Sequence, residues 1–342
     1  MTDISQQLEL LGFAETMRRV AAEGATPRER SRLSRRVQLT HELLSELPMP
    51  DDVAFLHSGL AQTCLPHSRP ARNHSVWRRT SGRFSLIVSP GVLDDTPPAT
   101  RGRQPTSQET EDSMYVGVPF GPKARLIMIY LQTEGLKSRH VSLGVSLSAF
   151  MRSLGLSVTG GERGSITQVR EQSLRIARCT FTMQWTDVDS SGSARTLVSD
   201  TRIVDGLELW RSARGDAWAG SVALSERFHE HLRQHAVPLD KRGIAHLSAN
   251  SLGLDLYALL AYRLPRLSRE THLRWGHLQA QIGADESTHK ELARRVREVM
   301  PDVRTAYPHA NVDVTSTGLT LKPSKSAVPK TSVNGFRIIE AA

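Results

Sequence analysis

The sequence predicts an α+β protein in which one order of elements occurs twice. Each copy reads as an apolar helix, a short strand, an amphipathic helix, an arginine-bearing third helix and a β-hairpin. The copies cover residues 122–205 and 250–322. This is the order of a winged helix, so we expect tandem winged-helix domains with an N-terminal helical extension.

Changes in composition divide the chain into five expected segments. Residues 1–50 form a helical N-terminal region. Residues 51–114 form a β-hairpin segment with a flexible loop rich in Pro, Thr and Ser at 93–113, because such a segment buries too little apolar surface to order itself. The two winged-helix domains are expected at 115–222 and 223–323, and residues 324–342 form a loosely ordered tail.

The first copy has a recognisable signal for each element. An apolar strand is expected at 115–120, and Pro122 suits the first turn of the helix that follows. A short strand at 141–143 and a helix at 146–154 come next. A capping-box pattern at Ser165 marks the start of the third helix. Strands at 179–185 and 194–204 are expected to form the wing.

The second copy repeats this order with a shorter turn. Residues 250–264 are apolar nearly all round, which predicts a buried helix that ends at Pro265. A short strand at 271–274 precedes a helix that Gly283 closes. Four residues then lead to a third helix that begins near Ser287, which is close to helix-turn-helix spacing. Strands at 311–314 and 319–321 complete the copy.

Charge and composition favour an anionic partner. The 44 Lys and Arg residues exceed the 35 Asp and Glu residues, which gives a net charge of +9. The excess is mostly arginine, whose guanidinium makes bidentate contacts with phosphate and guanine. The run PRERSRLSRR at 27–36 concentrates five arginines. A solvated helix face is its favoured interpretation, and an arm that touches DNA is the alternative.

Two arginine-bearing third helices in matching positions favour contact with duplex DNA. In the first copy the candidate DNA-contacting residues, on the predicted outer face and beside it, are Arg163, Thr167, Gln168, Arg170, Gln172, Arg175, Arg178 and Arg195. In the second copy they are Ser287, Thr288, Lys290, Arg294, Arg297 and Lys322.

Catalysis has little support in the sequence. His229, His231 and His235 are the one tempting cluster, but i and i+2 diverge on a helix and a two-histidine site lacks a third metal ligand. Residues 159–164 and 117–123 contain glycines without P-loop spacing. We expect no enzyme activity, cofactor or metal. The absence of a long apolar stretch and of a signal-peptide pattern predicts a cytoplasmic protein without membrane contact.

Four stretches resemble the RepA-type family of plasmid replication initiators. They are GVPFGPKARLIMIYLQTEGLKS (117–138), VSLGVSLSAFMRSLGLSVTGGERGSITQVREQ (141–172), LSANSLGLDLYALLAYRLPRL (247–267) and LPHSRP (65–70). The resemblance implies binding of repeated origin sequences (iterons), promotion of origin opening, and recruitment of the host helicase and host initiator proteins. It also implies a homodimeric form and repression of the protein's own gene.

Two other functions remain open on the sequence. A winged-helix transcriptional repressor without replication activity would share every DNA-binding feature. A metal-dependent nicking or priming enzyme would use the histidines of 229–235.

Overall fold

The computed structural model describes residues 4–24, 26–93, 112–161, 164–188, 194–211, 217–284, 288–329 and 332. Over these residues the fold is α+β, as the sequence predicts. The chain divides into two compact units. The central unit comprises residues 56–236 and 280–282, and the terminal unit comprises 1–55, 237–279 and 283–342. The expected flexible loop falls almost entirely outside the described residues, as do residues 330–331 and 333–342 of the expected tail.

Short strands and helices alternate through the central unit. In chain order its elements are α3 (Ser58–Gln62), β2 (Trp77–Ser81), β3 (Phe84–Ser89), α4 (Gly121–Lys137), β4 (His140–Ser142), α5 (Leu147–Ser153), α6 (Ser165–Arg178), β5 (Thr180–Val188), β6 (Ala194–Thr201), β7 (Val204–Arg211), β8 (Ala217–Leu224) and α7 (Glu226–His235).

The prediction that β5 and β6 form the wing of the first copy is wrong. They pair with each other, but β5 also pairs with β3 and extends a four-stranded sheet of order β2-β3-β5-β6. Val88 lies opposite Phe181 in this register, so the two side chains share one buried face. The hairpin that joins β4 is β7–β8, in a sheet of order β4-β8-β7. The β5–β6 hairpin is therefore an insertion between α6 and the hairpin of this copy.

The expected strand at 115–120 is also absent. Tyr115 makes an isolated bridge with Val92, and no ladder continues from it. Residues 116–120 are instead held by side chains of α6, described below. These contacts explain how an apolar segment can be buried without pairing with another strand.

The terminal unit gathers both ends of the chain. Its elements are α1 (Ile4–Glu23), α2 (Pro27–Ser45), β1 (Val53–His57), β9 (Ala236–Asp240), α8 (Lys241–Leu247), α9 (Ser251–Arg263), β10 (Thr271–Arg274), α10 (Trp275–Ile282), α11 (His289–Ala306), β11 (Val312–Val314) and β12 (Gly318–Leu321). The division between the units falls inside β1, β9 and α10. Strands β1 and β9 pair in a two-stranded sheet. Helices α1 and α2 thus belong to the unit of the second copy.

The second copy contains the predicted hairpin, formed by β11 and β12. Its sheet has the order β10-β12-β11, in which the strand between two helices pairs with the last strand of the hairpin. The β4-β8-β7 sheet of the central unit has the same order. Each unit therefore contains a three-stranded sheet with the same strand order, and in the central unit this sheet uses β7–β8 rather than the expected β5–β6.

Apolar burial accounts for the helices of the terminal unit. Helix α9 is buried on every side from Ser251 to Ala261, as its uniformly apolar sequence predicts. Helix α11 packs against α8, α9 and α2. Its inner residues Val296 and Val303 are fully buried. After β12 the chain stays attached, because the Tyr307 hydroxyl donates to the Lys325 carbonyl and Val328 is buried. Residues 323–329 are therefore more firmly held than the expected loose tail.

None of the described helices combines the length and the apolarity that crossing a bilayer requires.

Candidate nucleic-acid interface

Helix α6 starts at Ser165 as predicted, although not through a capping box. Gly164 is the N-cap residue, and the Ser165 hydroxyl donates to the Ser157 carbonyl, 2.7 Å away. The backbone amide of Ser165 in turn donates to the Thr159 hydroxyl. The glycine-containing connection thus folds back onto the first turn of the helix and defines where the helix begins.

Gln172 and Arg175 do not lie on the outer face of α6, so their predicted orientation is wrong. The Phe120 amide donates to Gln172 Oε1 at 2.8 Å, and Arg175 Nη1 donates to the Val118 carbonyl at 3.0 Å. Arg175 also bonds Glu171 and is 2% exposed. These two side chains satisfy backbone groups of the segment before α4, which would otherwise be buried without partners.

The exposed face of α6 carries Thr167, Arg170 and Leu174. Gln168 and Arg178 are half-buried at its margins. Arg163 lies outside the described residues, and of Arg195 only the backbone, in β6, is described. Of the candidates in the first copy, Thr167 and Arg170 therefore remain exposed.

Arg125 connects helix α4 to the LPHSRP stretch (65–70) of the central unit. Its guanidinium donates to the carbonyls of Leu65, Pro66 and Gly121 at 2.6, 3.1 and 2.9 Å. The LPHSRP stretch is thus fastened to the start of α4 by a buried arginine. The sequence does not show that Arg125 is buried, because nothing in the pattern of apolar residues around it in the helix distinguishes it from a surface arginine.

The candidate face of the second copy is an exposed stripe on α11. Thr288 caps the helix by accepting from the Glu291 amide, while Ser287 lies outside the described residues. Lys290 and Arg294 are exposed one turn apart. Arg294 lies between two carboxylates, 2.6 Å from Glu291 and in contact with Glu298.

Arg297 links α11 to the β11–β12 turn. It donates to the Thr315 carbonyl at 3.1 Å, and its guanidinium lies 5.7 Å from the centre of the Trp275 ring. Trp275 itself donates through Nε1 to the Ser316 carbonyl. The helix and the hairpin turn are therefore held in one fixed arrangement. Lys322, at the end of the hairpin, pairs with Asp313.

The histidine cluster gains a member that the sequence did not reveal. His231 and His235 share one face of α7, with ring centroids 4.2 Å apart. His57 Nε2 lies 2.6 Å from His231 Nδ1, and the Trp185 ring is 4.7 Å from that of His231. His57 lies far away in the sequence, at the end of a buried strand, so no local spacing could identify it.

Comparison with known families identifies the central part of the chain. Residues 118–277 match the RepA_C family model, described as "Plasmid encoded RepA protein". The resemblance read from the sequence is thereby confirmed over residues 118–277. The match ends inside α10, so α1, α2 and α11 lie outside it. A comparison with curated proteins gave no match.

Two crystal structures of domains 2 and 3 of RctB are similar to the chain. For a selenomethionine derivative the identity is 10% and the TM-score 0.42, over 70% of this chain and 84% of that one. For the second structure the identity is 12% and the TM-score 0.40, over 77% and 94%.

Proposed function

We propose that the protein is a plasmid replication initiator that binds repeated origin sequences in duplex DNA. The observation that carries this proposal is the RepA_C match over residues 118–277. The repeated sheet order supports it, because each copy places a basic third helix beside a three-stranded sheet that ends in a hairpin. Each copy acts as a winged helix, with the third helix in the major groove and the hairpin against the backbone.

The second copy is the better-defined reader of sequence. Lys290 and Arg294 are exposed one turn apart on α11. Their side chains can donate hydrogen bonds to guanine O6 and N7 or to phosphate. Arg297 fixes the hairpin turn relative to this stripe and so positions the DNA-binding surface. In the first copy Thr167 and Arg170 take the corresponding role. Arg178 and Lys322, at the margins, contact phosphates.

The remaining steps follow from the family. The bound protein promotes opening of the origin and recruits the host helicase and initiator proteins, and a homodimer is its second form. It needs no catalytic site, cofactor or metal for these steps, since they are binding events.

Footprinting of the purified protein upstream of its own gene tests the proposal. We expect protection of direct repeats spaced by about two helical turns, because one face of the protein reads one face of the DNA. Protection of a single operator, with a plasmid that is maintained when the coding sequence is deleted, would show a transcriptional repressor instead. Origin DNA that is nicked in the presence of magnesium or manganese would show an enzyme.

A further inference from the structure

The N-terminal half of α2 carries a row of arginines on its outer side. Arg28, Arg32 and Arg35 are exposed, and their i, i+4, i+7 spacing places them within about 60° of the helix circumference. The buried side chains Leu33 and Val37 lie on the opposite side and pack into the core. We call the three arginines the α2 stripe. This stripe lies outside the RepA_C match.

The α2 stripe differs from the basic pair on α1, because no described carboxylate pairs with it. Arg18 and Arg19 of α1 both pair with Glu15. Among the described residues, by contrast, no carboxylate lies within ion-pair distance of the three stripe arginines. The pKa of Asp302 is lowered chiefly by its hydrogen bond with His246 and next by the charge of Arg36, and Arg32 adds a smaller effect of the same sign. A solvated charge run needs no partner, but three arginines in a row without a carboxylate at ion-pair distance repel one another and favour an external anion.

The helix that carries the stripe is fixed to the proposed DNA-reading helix. Arg36, on the side of α2 that faces the core, donates to the Thr305 hydroxyl at 3.1 Å and to the Pro301 carbonyl at 2.8 Å. Both acceptors belong to α11. The stripe is therefore part of the same rigid unit as Lys290 and Arg294, and it stays in place when that unit binds DNA.

We propose that the α2 stripe is a second phosphate-binding surface, which contacts the backbone of duplex DNA without reading its sequence. The row is about 10 Å long, from seven residues at 1.5 Å each, and the phosphates of one DNA strand rise by about 3.4 Å each along the helix axis, so the row covers the axial rise of about three phosphates. Arginine forks suit phosphate oxygens. The inference rests on the proposed function, because it assumes that α11 brings the unit to DNA. An anionic membrane would offer phosphate too, but the exposed residues that flank the stripe on α2, Arg30, Ser31 and Gln38, are polar and do not favour entry into a bilayer.

The test is the salt dependence of DNA binding by the full-length protein. The variant Arg28→Gln/Arg32→Gln/Arg35→Gln removes the stripe. The matched control Arg18→Gln/Arg19→Gln/Lys137→Gln removes the same charge from residues that already pair with Glu15 or Glu134. Binding to origin and to unrelated duplexes is followed by fluorescence anisotropy between 50 and 300 mM salt. Thermal unfolding by circular dichroism shows that both variants fold.

We expect the stripe variant to bind both duplexes at least tenfold more weakly at about 0.1 M salt. Its plot of log K against log salt concentration becomes shallower by about 2 to 3, since each lost phosphate contact removes about 0.9. The control keeps the slope of the original protein, and the footprint pattern on origin DNA is unchanged in both.

Equal slopes for the stripe variant and the control overturn the inference while leaving the proposed function intact. Failure of the original protein to bind origin DNA overturns the proposed function itself. Loss of binding to vesicles that contain phosphatidylserine, with unchanged DNA slopes, overturns the inference in favour of a membrane surface.

Discussion

His57 donates a hydrogen bond from Nε2 to Nδ1 of His231, 2.6 Å away. The direction of this bond follows from the other ring nitrogen of His57, because the Gly59 amide donates to Nδ1 at 3.1 Å. Nδ1 therefore carries no proton, and Nε2 carries it. Burial first, and then the neighbouring His231 and His235, lowers the pKa of His57 to about 3. Burial followed by His235 lowers the pKa of His231 to about 4.

The first prediction is a loss of stability in mild acid. In the unfolded chain both histidines take up a proton near pH 6.5, whereas in the folded protein they stay neutral down to about pH 4 and 3. Between these values the unfolded state binds more protons, so the free energy of unfolding falls as pH falls. The stability that His57 contributes through its neutral form is fully present above pH 6.5. Between pH 6.5 and pH 3 its loss lowers the free energy of unfolding by up to about 1.4 kcal/mol for each pH unit.

Urea unfolding between pH 7.5 and 4.5 measures this effect. The variant His57→Gln removes the buried titrating ring and is expected to flatten the pH dependence, whatever its effect at pH 7. The control His140→Gln changes an exposed histidine of the same unit and should leave the dependence as it is. If His57→Gln leaves the pH dependence of the free energy of unfolding unchanged, His57 takes up its proton at the same pH in the folded protein as in the unfolded chain.

The second prediction separates stability from binding on α6. Arg175→Ala removes the bonds to Val118 and Glu171 and leaves a buried carbonyl without a donor, which costs about 2 to 3 kcal/mol. Arg170→Ala, on the exposed face of the same helix, should change stability by less than about 0.5 kcal/mol. Thermal and urea unfolding give both numbers. A neutral Arg175→Ala would mean that the segment before α4 does not depend on this side chain.

The third prediction concerns the sign of charge changes around Arg294. Arg294→Ala should weaken origin binding by about 1 to 3 kcal/mol with little loss of stability, because its ion pairs are exposed. Glu298→Gln should strengthen binding, since it removes a carboxylate that both repels phosphate and competes for Arg294. Anisotropy titrations on origin DNA measure both. Weaker binding by Arg294→Ala together with stronger binding by Glu298→Gln would indicate that Arg294 faces the DNA. If the two variants change binding equally, the interface lies elsewhere.

The fourth prediction tests the link between α11 and the hairpin turn. Arg297→Met keeps the length of the side chain but loses the bond to the Thr315 carbonyl, and Trp275→Phe loses the bond to Ser316. Each change frees the turn and should weaken specific binding severalfold more than nonspecific binding. In a double-mutant cycle the two losses should fall short of additivity, because both act on the same turn. Full additivity would mean that the two contacts act independently.

Local signals predicted most of the fold. Ser146 caps α5, which was expected at 146–154, and the apolar run of α9 is buried throughout, as their sequence patterns indicate. The first copy was expected to end at residue 205, so strands β7 and β8 had no prediction from the sequence. Two hairpins in succession, β5–β6 and β7–β8, have the alternation of strands, and only long-range pairing decides which of them joins β4. Sequence periodicity carries no information about that choice.

The candidate site was predictable where exposure follows from helix geometry. Lys290 and Arg294 lie on the outer stripe of α11, as expected for a helix whose inner face is strongly apolar. Gln172 and Arg175 were placed outside because polar side chains normally face water. They lie inside because an irregular segment beside α6 leaves backbone groups to satisfy, and a helical wheel cannot show the needs of a neighbouring segment.

Gly117 lies in the left-handed region, with φ of 75°, and a Cβ atom added to it would be 2.1 Å from Arg175 Nη1. The two positions therefore share one small volume, although 57 residues separate the bonded partners Val118 and Arg175. A side chain at position 117 would strain the backbone at this φ and would also push the Arg175 guanidinium away from the Val118 carbonyl. Among relatives of this chain the two positions should consequently diverge together, so that a chain without the glycine also lacks the arginine.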